Sequence, residues 1–281
     1  MTAMVHEDSP GVLVSTPVGD VHVVIDGDPG ASVVVACVHG LPGGARDFRL
    51  LGRALAKRGA CCVRLDLPGF GRSPSPSALL RRPRDRAALV AAVMKARGHR
   101  RYAVVGHSFG GTAALALAGM AATSSSVTAL GLICSVGITR HQGLTVPHEF
   151  TGAIAGLHGL PLVGTSLTGP FVRLFRQATE RLGVRGDRAF TDDELVDHAH
   201  IIGGLDFKDL RAFASAVTAP TLVLSAEDDR LVEPAVSFTL AASLRRASLV
   251  THHHRQQGGH FLQHRAPHVI ADWLMAVAGP A

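Results

Sequence analysis

Between Tyr102 and Thr139 the chain carries no aspartate, glutamate, lysine or arginine. An uncharged run of that length is either a membrane span, which needs about 20 helical residues, or the centre of a folded core. Its punctuation decides between them. Gly106, Gly110 and Gly111 break the first part, and Thr123 to Ser126 break the middle. The run therefore reads as strand, turn, helix, loop and strand, buried in a sheet covered on both faces. A second uncharged stretch, Phe150 to Val172, holds Pro161, Pro170 and five glycines, a poor continuous helix. It reads as a pocket-lining or membrane-touching segment and not as a span.

The flanking sequence repeats a strand-then-helix rhythm. A hairpin-like pair, Val12 to Val18 and Val21 to Ile25, precedes a continuous β-branched strand, Ser32 to Val38. Phe48 to Arg58 is expected as helix, with Leu51, Ala54 and Leu55 at helical spacing, and Cys61 to Leu65 as strand. Helix is expected again at Arg84 to Arg97, strand at Tyr102 to Val105, helix at Thr112 to Met120 and strand at Ala129 to Cys134. The rhythm fails from about Gly137 to Ala214, which marks an insertion. It resumes with a strand at Thr221 to Leu224, a helix at Pro234 to Leu244, a strand near Ser248 to His252 and a closing helix at Pro267 to Ala278. Strands alternating with helices imply a mostly parallel sheet with helices on both faces.

Composition narrows the function classes. Hydrophobic residues make up 47% of 281 positions and charged residues 18%, with a mean hydropathy of +0.24, which excludes a disordered chain. The net charge is +6, but a nucleic-acid surface would interleave basic side chains with aromatic platforms. Arg81, Arg82, Arg84 and Arg86 have none, and the chain holds one Trp and one Tyr. Cys37, Cys61, Cys62 and Cys134 show no paired-ligand spacing, and buried reduced thiols fit them best. His6, Glu7 and Asp8 are followed by no apolar leader segment, so a cytoplasmic location is expected.

Gly106-His107-Ser108-Phe109-Gly110 follows a β-branched strand and opens an Ala/Leu-rich helix. This is the context a strained strand-to-helix turn requires, and its glycines leave room for close backbone neighbours. With this segment, His39-Gly40-Leu41-Pro42-Gly43-Gly44 and Asp66-Leu67-Pro68-Gly69-Phe70-Gly71-Arg72-Ser73 give the sequence its family likeness. From about Val12 to Ala278 the chain resembles the α/β-hydrolase family. The resemblance implies a mostly parallel eight-stranded sheet flanked by helices, with core residues 1–136 and 215–281 and a helical cap at residues 137–214.

It also implies a nucleophile, an acid and a histidine in that order along the chain. Ser108 takes the first place. Asp229 closes the run Leu222 to Asp229 where the family's acid follows its strand, and Glu227 and Asp228 compete with it. The family's other acid position, after the sixth strand, reads Cys134-Ser135-Val136 and offers no carboxylate. His260, after the last strand and before the last helix, is the expected base, and His39 and His107 are polar supports. His252, His253 and His254 invite a metal reading, but adjacent residues on an extended segment point to alternate faces.

In the mechanism this implies, His260 takes the Ser108 proton and Asp229 fixes the imidazole. The backbone N–H groups of Leu41 and Phe109 hold the tetrahedral oxyanion. No metal or organic cofactor is called for. A serine where dehalogenases and epoxide hydrolases of the family carry an aspartate favours acyl transfer. The insertion is apolar and Gly-rich from Phe150 to Leu174 and carries five arginines from Arg173 to Arg188, so a small-molecule substrate with an apolar acyl or alkyl group is expected.

Hydrolysis of a carboxylic ester, thioester or lactone leads. A carbon-carbon bond hydrolase clamping a carboxylate with the lid arginines is the runner-up. The His39 to Gly44 run resembles the His-Gly-Gly-Pro-Gly-Gly of proline iminopeptidases with Leu41 in the third place, but Phe109 replaces their tryptophan, and Glu149, Glu180 and Glu194 form no recognisable acidic set. A non-catalytic ligand receptor is the alternative from another class. Peripheral membrane contact through the cap and the oligomeric state are left open.

Overall fold

The computed structural model describes residues 10–74, 80–144, 148–158, 160, 164–181 and 191–278. His6, Glu7, Asp8, Arg185 and Arg188 lie outside the described residues, as do the side chains of Glu149, Glu180 and Arg181.

The chain begins with strands β1 (Val12–Thr16), β2 (Gly19–Asp26) and β3 (Val34–Val38), then helix α1 (Arg49–Ala56) and strand β4 (Cys61–Leu65). Helix α2 (Pro83–Ala96), strand β5 (Tyr102–His107), helix α3 (Gly110–Gly119) and strand β6 (Val127–Ile133) complete the first half. Three helices intervene, α4 (His148–His158), α5 (Gly164–Arg181) and α6 (Asp192–Gly203), followed by α7 (Phe207–Ala216). Strand β7 (Thr221–Ala226), helix α8 (Pro234–Ser243), strand β8 (Val250–Arg255), the short α9 (Leu262–Arg265) and α10 (Pro267–Ala278) close the fold.

The eight strands form one sheet in the order β1-β2-β4-β3-β5-β6-β7-β8. The β1–β2 and β2–β4 pairs are antiparallel and the other five are parallel. This mostly parallel sheet agrees with the sequence expectation. Residues alternate across it because successive side chains in a strand point to opposite faces. Val34, Ala36 and Val38 join the core formed with α2, α3, α7 and α8. Val35 and Cys37 join the other, formed with α1, α9 and α10. Both faces are covered by helices, so β3 and β4 are buried at every position.

One of those buried positions is Arg64. Its guanidinium pairs with Asp26, Nε at 2.6 Å from Oδ2 and Nη2 at 3.1 Å from Oδ1. Gly52 of α1 gives the pair its space, since a Cβ there would overlap the Asp26 carboxylate.

Boundaries moved where glycines or histidines blur the local signal. Helix α3 starts at Gly110 rather than Thr112 because Gly111 N–H already bonds to the Ser108 carbonyl at 3.1 Å. Strand β8 runs on to Arg255 through its three histidines because β7 supplies partners along that length. The insertion, unparsed in sequence, supplies α4, α5 and α6, which share their own apolar cluster of Ala155, Val172, Leu195, Val196 and Ala199. Thr191 and Glu194 cap α6 reciprocally, at 3.2 and 2.8 Å, as a capping box does. Helix α7 instead packs on α3, where Gly119 lies against the Phe213 backbone. Phe150, Leu157 and Leu174 are exposed on α4 and α5. No helix among the described residues is long and apolar enough to cross a membrane.

Candidate active site

All the singled-out site residues sit at the C-terminal ends of parallel strands. Ser108 follows β5, the strand between β3 and β6, and adopts φ of 51°. That left-handed backbone is strained for any residue with a Cβ, by about 1–3 kcal/mol. Packing enforces it. A Cβ at Gly106 would stand 2.6 Å from the Gly110 carbonyl oxygen, and one at Gly110 would stand 2.3 Å from the carbonyl oxygens of Val38 and His39. The turn can thus press against β3 while the serine projects from it, half-buried.

The three neighbouring acids have three different partners. Glu227 Oε2 accepts from His254 Nε2 at 3.0 Å. Asp228 accepts from the N–H groups of Gly258 and Gly259 at 3.2 and 2.7 Å, which ties down the loop carrying His260. Asp229 faces His260, whose Nδ1 lies 2.9 Å from Oδ2 and 3.1 Å from Oδ1. The N–H groups of Leu231 and Val232 also donate to Asp229 Oδ1, at 2.8 and 3.0 Å. Burial alone would raise the Asp229 carboxyl, but the His260 bond and charge, with these two N–H groups, hold it below the usual carboxylate range. Asp229 is therefore an anion ready to hold an imidazole in one tautomer.

Ser108 Oγ makes no hydrogen bond to His260 among the described residues, as is common in unliganded sites whose catalytic contacts tighten on binding. The link between their segments runs through His107. Its Nε2 donates to the His260 carbonyl at 2.9 Å, and the two rings lie 4.8 Å apart.

His39 shapes the other wall. Leu67 N–H donates to its Nε2 at 2.9 Å, so Nδ1 carries the proton and donates to the Gly40 carbonyl at 2.7 Å. A trans peptide holds its C=O and N–H on opposite sides, so the Leu41 N–H points away from that bond. Gly40 lies against the serine, where a Cβ would stand 2.9 Å from Ser108 Cβ. The N–H groups of Leu41 and Phe109 make no hydrogen bond to another described residue. Among the described residues these two donors, one next to Ser108 in sequence and one next to Gly40, are unpaired.

Several residues here carried no signal in sequence. Cys134 is the only other described non-glycine residue with positive φ, at 42°. Its Sγ lies within 4.8 Å of both an Asp229 oxygen and a His260 nitrogen. A metal would need these donors free. Burial, followed by the Asp229 charge, pushes the thiol well up, and the His260 Nδ1 bond already engages Asp229, so protons occupy the set. Gln142, near the start of the insertion and ahead of α4, donates from Nε2 to the Asp229 carbonyl at 3.2 Å and from its main-chain N–H to Glu233 Oε2 at 2.8 Å. The stretch leading into α4 is thereby stitched to the loop that carries Asp229. From α6, His198 stacks on Phe70 at 4.9 Å, and Phe70 meets His39 edge-on at 5.4 Å.

Of the histidine cluster, His253 faces away from its neighbours' side, whereas His252 and His254 share a face and both bond to Ser225 Oγ at 3.0 Å. Among the described residues they join no metal-competent group. All four cysteines are free thiols.

Comparison with known proteins agrees with this architecture. A family model described as alpha/beta hydrolase fold matches residues 33–267. The uncharacterized hydrolase YugF of Bacillus subtilis (strain 168) is 25% identical over 265 residues, covering 88% of this chain and 90% of that protein. Among solved structures, the esterase EaEST from Exiguobacterium antarcticum is similar with a TM-score of 0.69 at 16% identity, covering 96% of this chain and 100% of that one. The enol-lactonase from Burkholderia xenovorans LB400 is similar with a TM-score of 0.68 at 20% identity, covering 93% and 97%.

Proposed function

The chain belongs to the alpha/beta hydrolase fold family and is a hydrolase, and from that premise we propose that it cleaves a carboxylic ester, thioester or lactone through an acyl-enzyme on Ser108. The observation that carries the reading is the pairing of a strained, projecting serine with two unpaired N–H donors, beside a histidine already oriented by a buried carboxylate.

Each group has one task. His260 Nε2 takes the Ser108 proton as Oγ attacks the acyl carbon, and Asp229 stabilises the imidazolium. The developing oxyanion takes the Leu41 and Phe109 N–H groups. His260 then returns the proton to the leaving group, and water repeats the sequence to free the acid.

We read α4 to α6 as a lid over the serine. Its described face toward the core presents Phe70-stacked His198, a neutral imidazole whose pKa burial lowers to about 4. Arg173 is exposed and Arg176 pairs with Asp192 at 2.6 Å. The apolar, Gly-rich run from Phe150 to Leu174 is what supports an apolar acyl group over a carbon-carbon substrate bearing a carboxylate.

The test is hydrolysis of p-nitrophenyl esters from acetate to palmitate, wild type beside Ser108→Ala. Serine-dependent turnover with an optimum in chain length is expected. Turnover equal in both proteins would overturn the proposal.

A further inference from the structure

Among the described residues two arginines are buried, Arg64 at 0% and Arg86 at 2% exposure. They are satisfied in different ways. Arg64 has the Asp26 carboxylate. Arg86, on α2, forms no ion pair with any described residue. Its Nη1 donates to the carbonyls of Leu80 and Arg81, each at 2.9 Å, and its Nη2 to Thr112 Oγ1 at 3.4 Å. Its Cζ lies 5.2 Å from the centre of the Phe109 ring.

All of these partners carry partial negative charge and none carries a full one. Burial lowers the Arg86 pKa to about 10, so the side chain still holds its proton at neutral pH. A buried cation without a counter-ion is costly, and folds usually pair such charges. Here the contacts converge on Phe109. Its ring faces the guanidinium, and its carbonyl accepts at 2.7 Å from the same Thr112 hydroxyl that Arg86 donates to. Phe109 is also the residue whose N–H is unpaired beside Ser108.

We infer that Arg86 is a positioning residue for the Phe109 oxyanion donor and the standing counter-charge for the negative charge that forms there. The inference rests on the acyl-transfer reading above. At 2% exposure Arg86 does not touch substrate, so it acts through Phe109 and through the low-dielectric interior. A neutral ester gains nothing from that field. The tetrahedral anion does, and only interactions stronger in the transition state speed the chemical step.

The test uses Arg86→Gln and Arg86→Lys in the full chain, with folding checked by circular dichroism. Three quantities are read: kcat and KM for a neutral p-nitrophenyl ester, and the inhibition constant of phenylboronic acid, which becomes a tetrahedral anion on Ser108. Arg86→Gln is expected to lower kcat and boronate affinity together, on the order of tenfold, with KM nearly unchanged. Arg86→Lys is expected to recover most of both losses.

A folded Arg86→Gln protein with wild-type boronate affinity would overturn the inference. So would equal losses in the Gln and Lys variants, the signature of a packing role alone. If Arg86→Gln does not fold, Thr112→Val removes the link to the Phe109 carbonyl at constant volume. A few-fold drop in kcat at constant KM supports the inference, and an unchanged kcat overturns it. Failure of a fluorophosphonate to label Ser108 in the wild type would instead overturn the acyl-transfer reading and this inference together.

Discussion

His107 Nε2 donates to the main-chain carbonyl of His260 at 2.9 Å, so the residue preceding Ser108 anchors the loop that carries His260. Because a carbonyl can only accept, His107 Nε2 holds the proton and Nδ1 is a bare lone pair, buried with no partner among the described residues. A cation at this position would face the His260 ring at 4.8 Å. Burial first, and His260 second, push the His107 pKa well down, and the imidazole stays neutral.

Acid should destabilise the fold well before its carboxylates titrate. The folded-state pKa values of His107 and His198 are both lowered by burial, the latter to about 4, whereas an unfolded histidine titrates near 6.5. Below about 6.5 the unfolded chain binds more protons than the folded one, so stability falls as pH falls. The urea midpoint is expected to drop between pH 7.5 and pH 5, and His198→Phe to flatten that slope. A midpoint independent of pH over this window would contradict the assignment.

The three adjacent acids should separate cleanly in kinetics. Asp229→Asn removes the anion facing His260 and should cut kcat by on the order of a thousandfold or more. Asp228→Asn loosens two N–H bonds to the His260 loop, and about a tenfold loss is expected from one residue's worth of loop positioning. Glu227→Gln, whose partner is His254 on the edge strand, should leave turnover within twofold of wild type, roughly the scatter of a surface pair. Steady-state rates on one ester decide the order.

Strain at the serine gives a signed prediction for stability. At φ of 51° a glycine is at ease and a Cβ is not, so Ser108→Gly should raise stability by about 1 kcal/mol while abolishing turnover. Ser108→Ala abolishes turnover but keeps the strained Cβ. Thermal melts of the two variants side by side should place the glycine protein higher.

Asp26→Ala should be among the most damaging substitutions outside the site. It leaves Arg64 charged in a wholly buried strand, which costs roughly 3–5 kcal/mol, measurable by denaturant titration. Replacing both partners with apolar residues, Asp26→Leu and Arg64→Met, is expected to recover much of that loss.

The alternation of strands and helices, both core faces and the turn at Ser108 were legible in sequence because they rest on local signals. β-Branched runs, helical spacing and glycine placement are written within a few residues of where they act. The order of acid and histidine was legible only through the family resemblance, which favoured Asp229 over its neighbours Glu227 and Asp228 but gave no partner for either of those. Distance in the fold separated them, since Glu227, Asp228 and Asp229 meet His254, the Gly258–Gly259 backbone and His260 respectively, all partners about 30 positions away.

Other features had no local trace at all. Arg86 belonged to a run of arginines distinguished only by its lack of aromatic neighbours, and Arg64 to a strand of apolar neighbours. Whether a charge is solvated, paired or stranded depends on which side chains α1, α2 and α3 bring against it. The insertion's helices follow the same rule, since Gly152 and Gly203 permit a close crossing of α4 and α6 that neither glycine announces alone. Periodicity and turn chemistry act along the chain, so sequence determined the architecture and the strained serine. Ion pairing, desolvation and the separate partners of three adjacent acids act through space, and only the tertiary structure decided them.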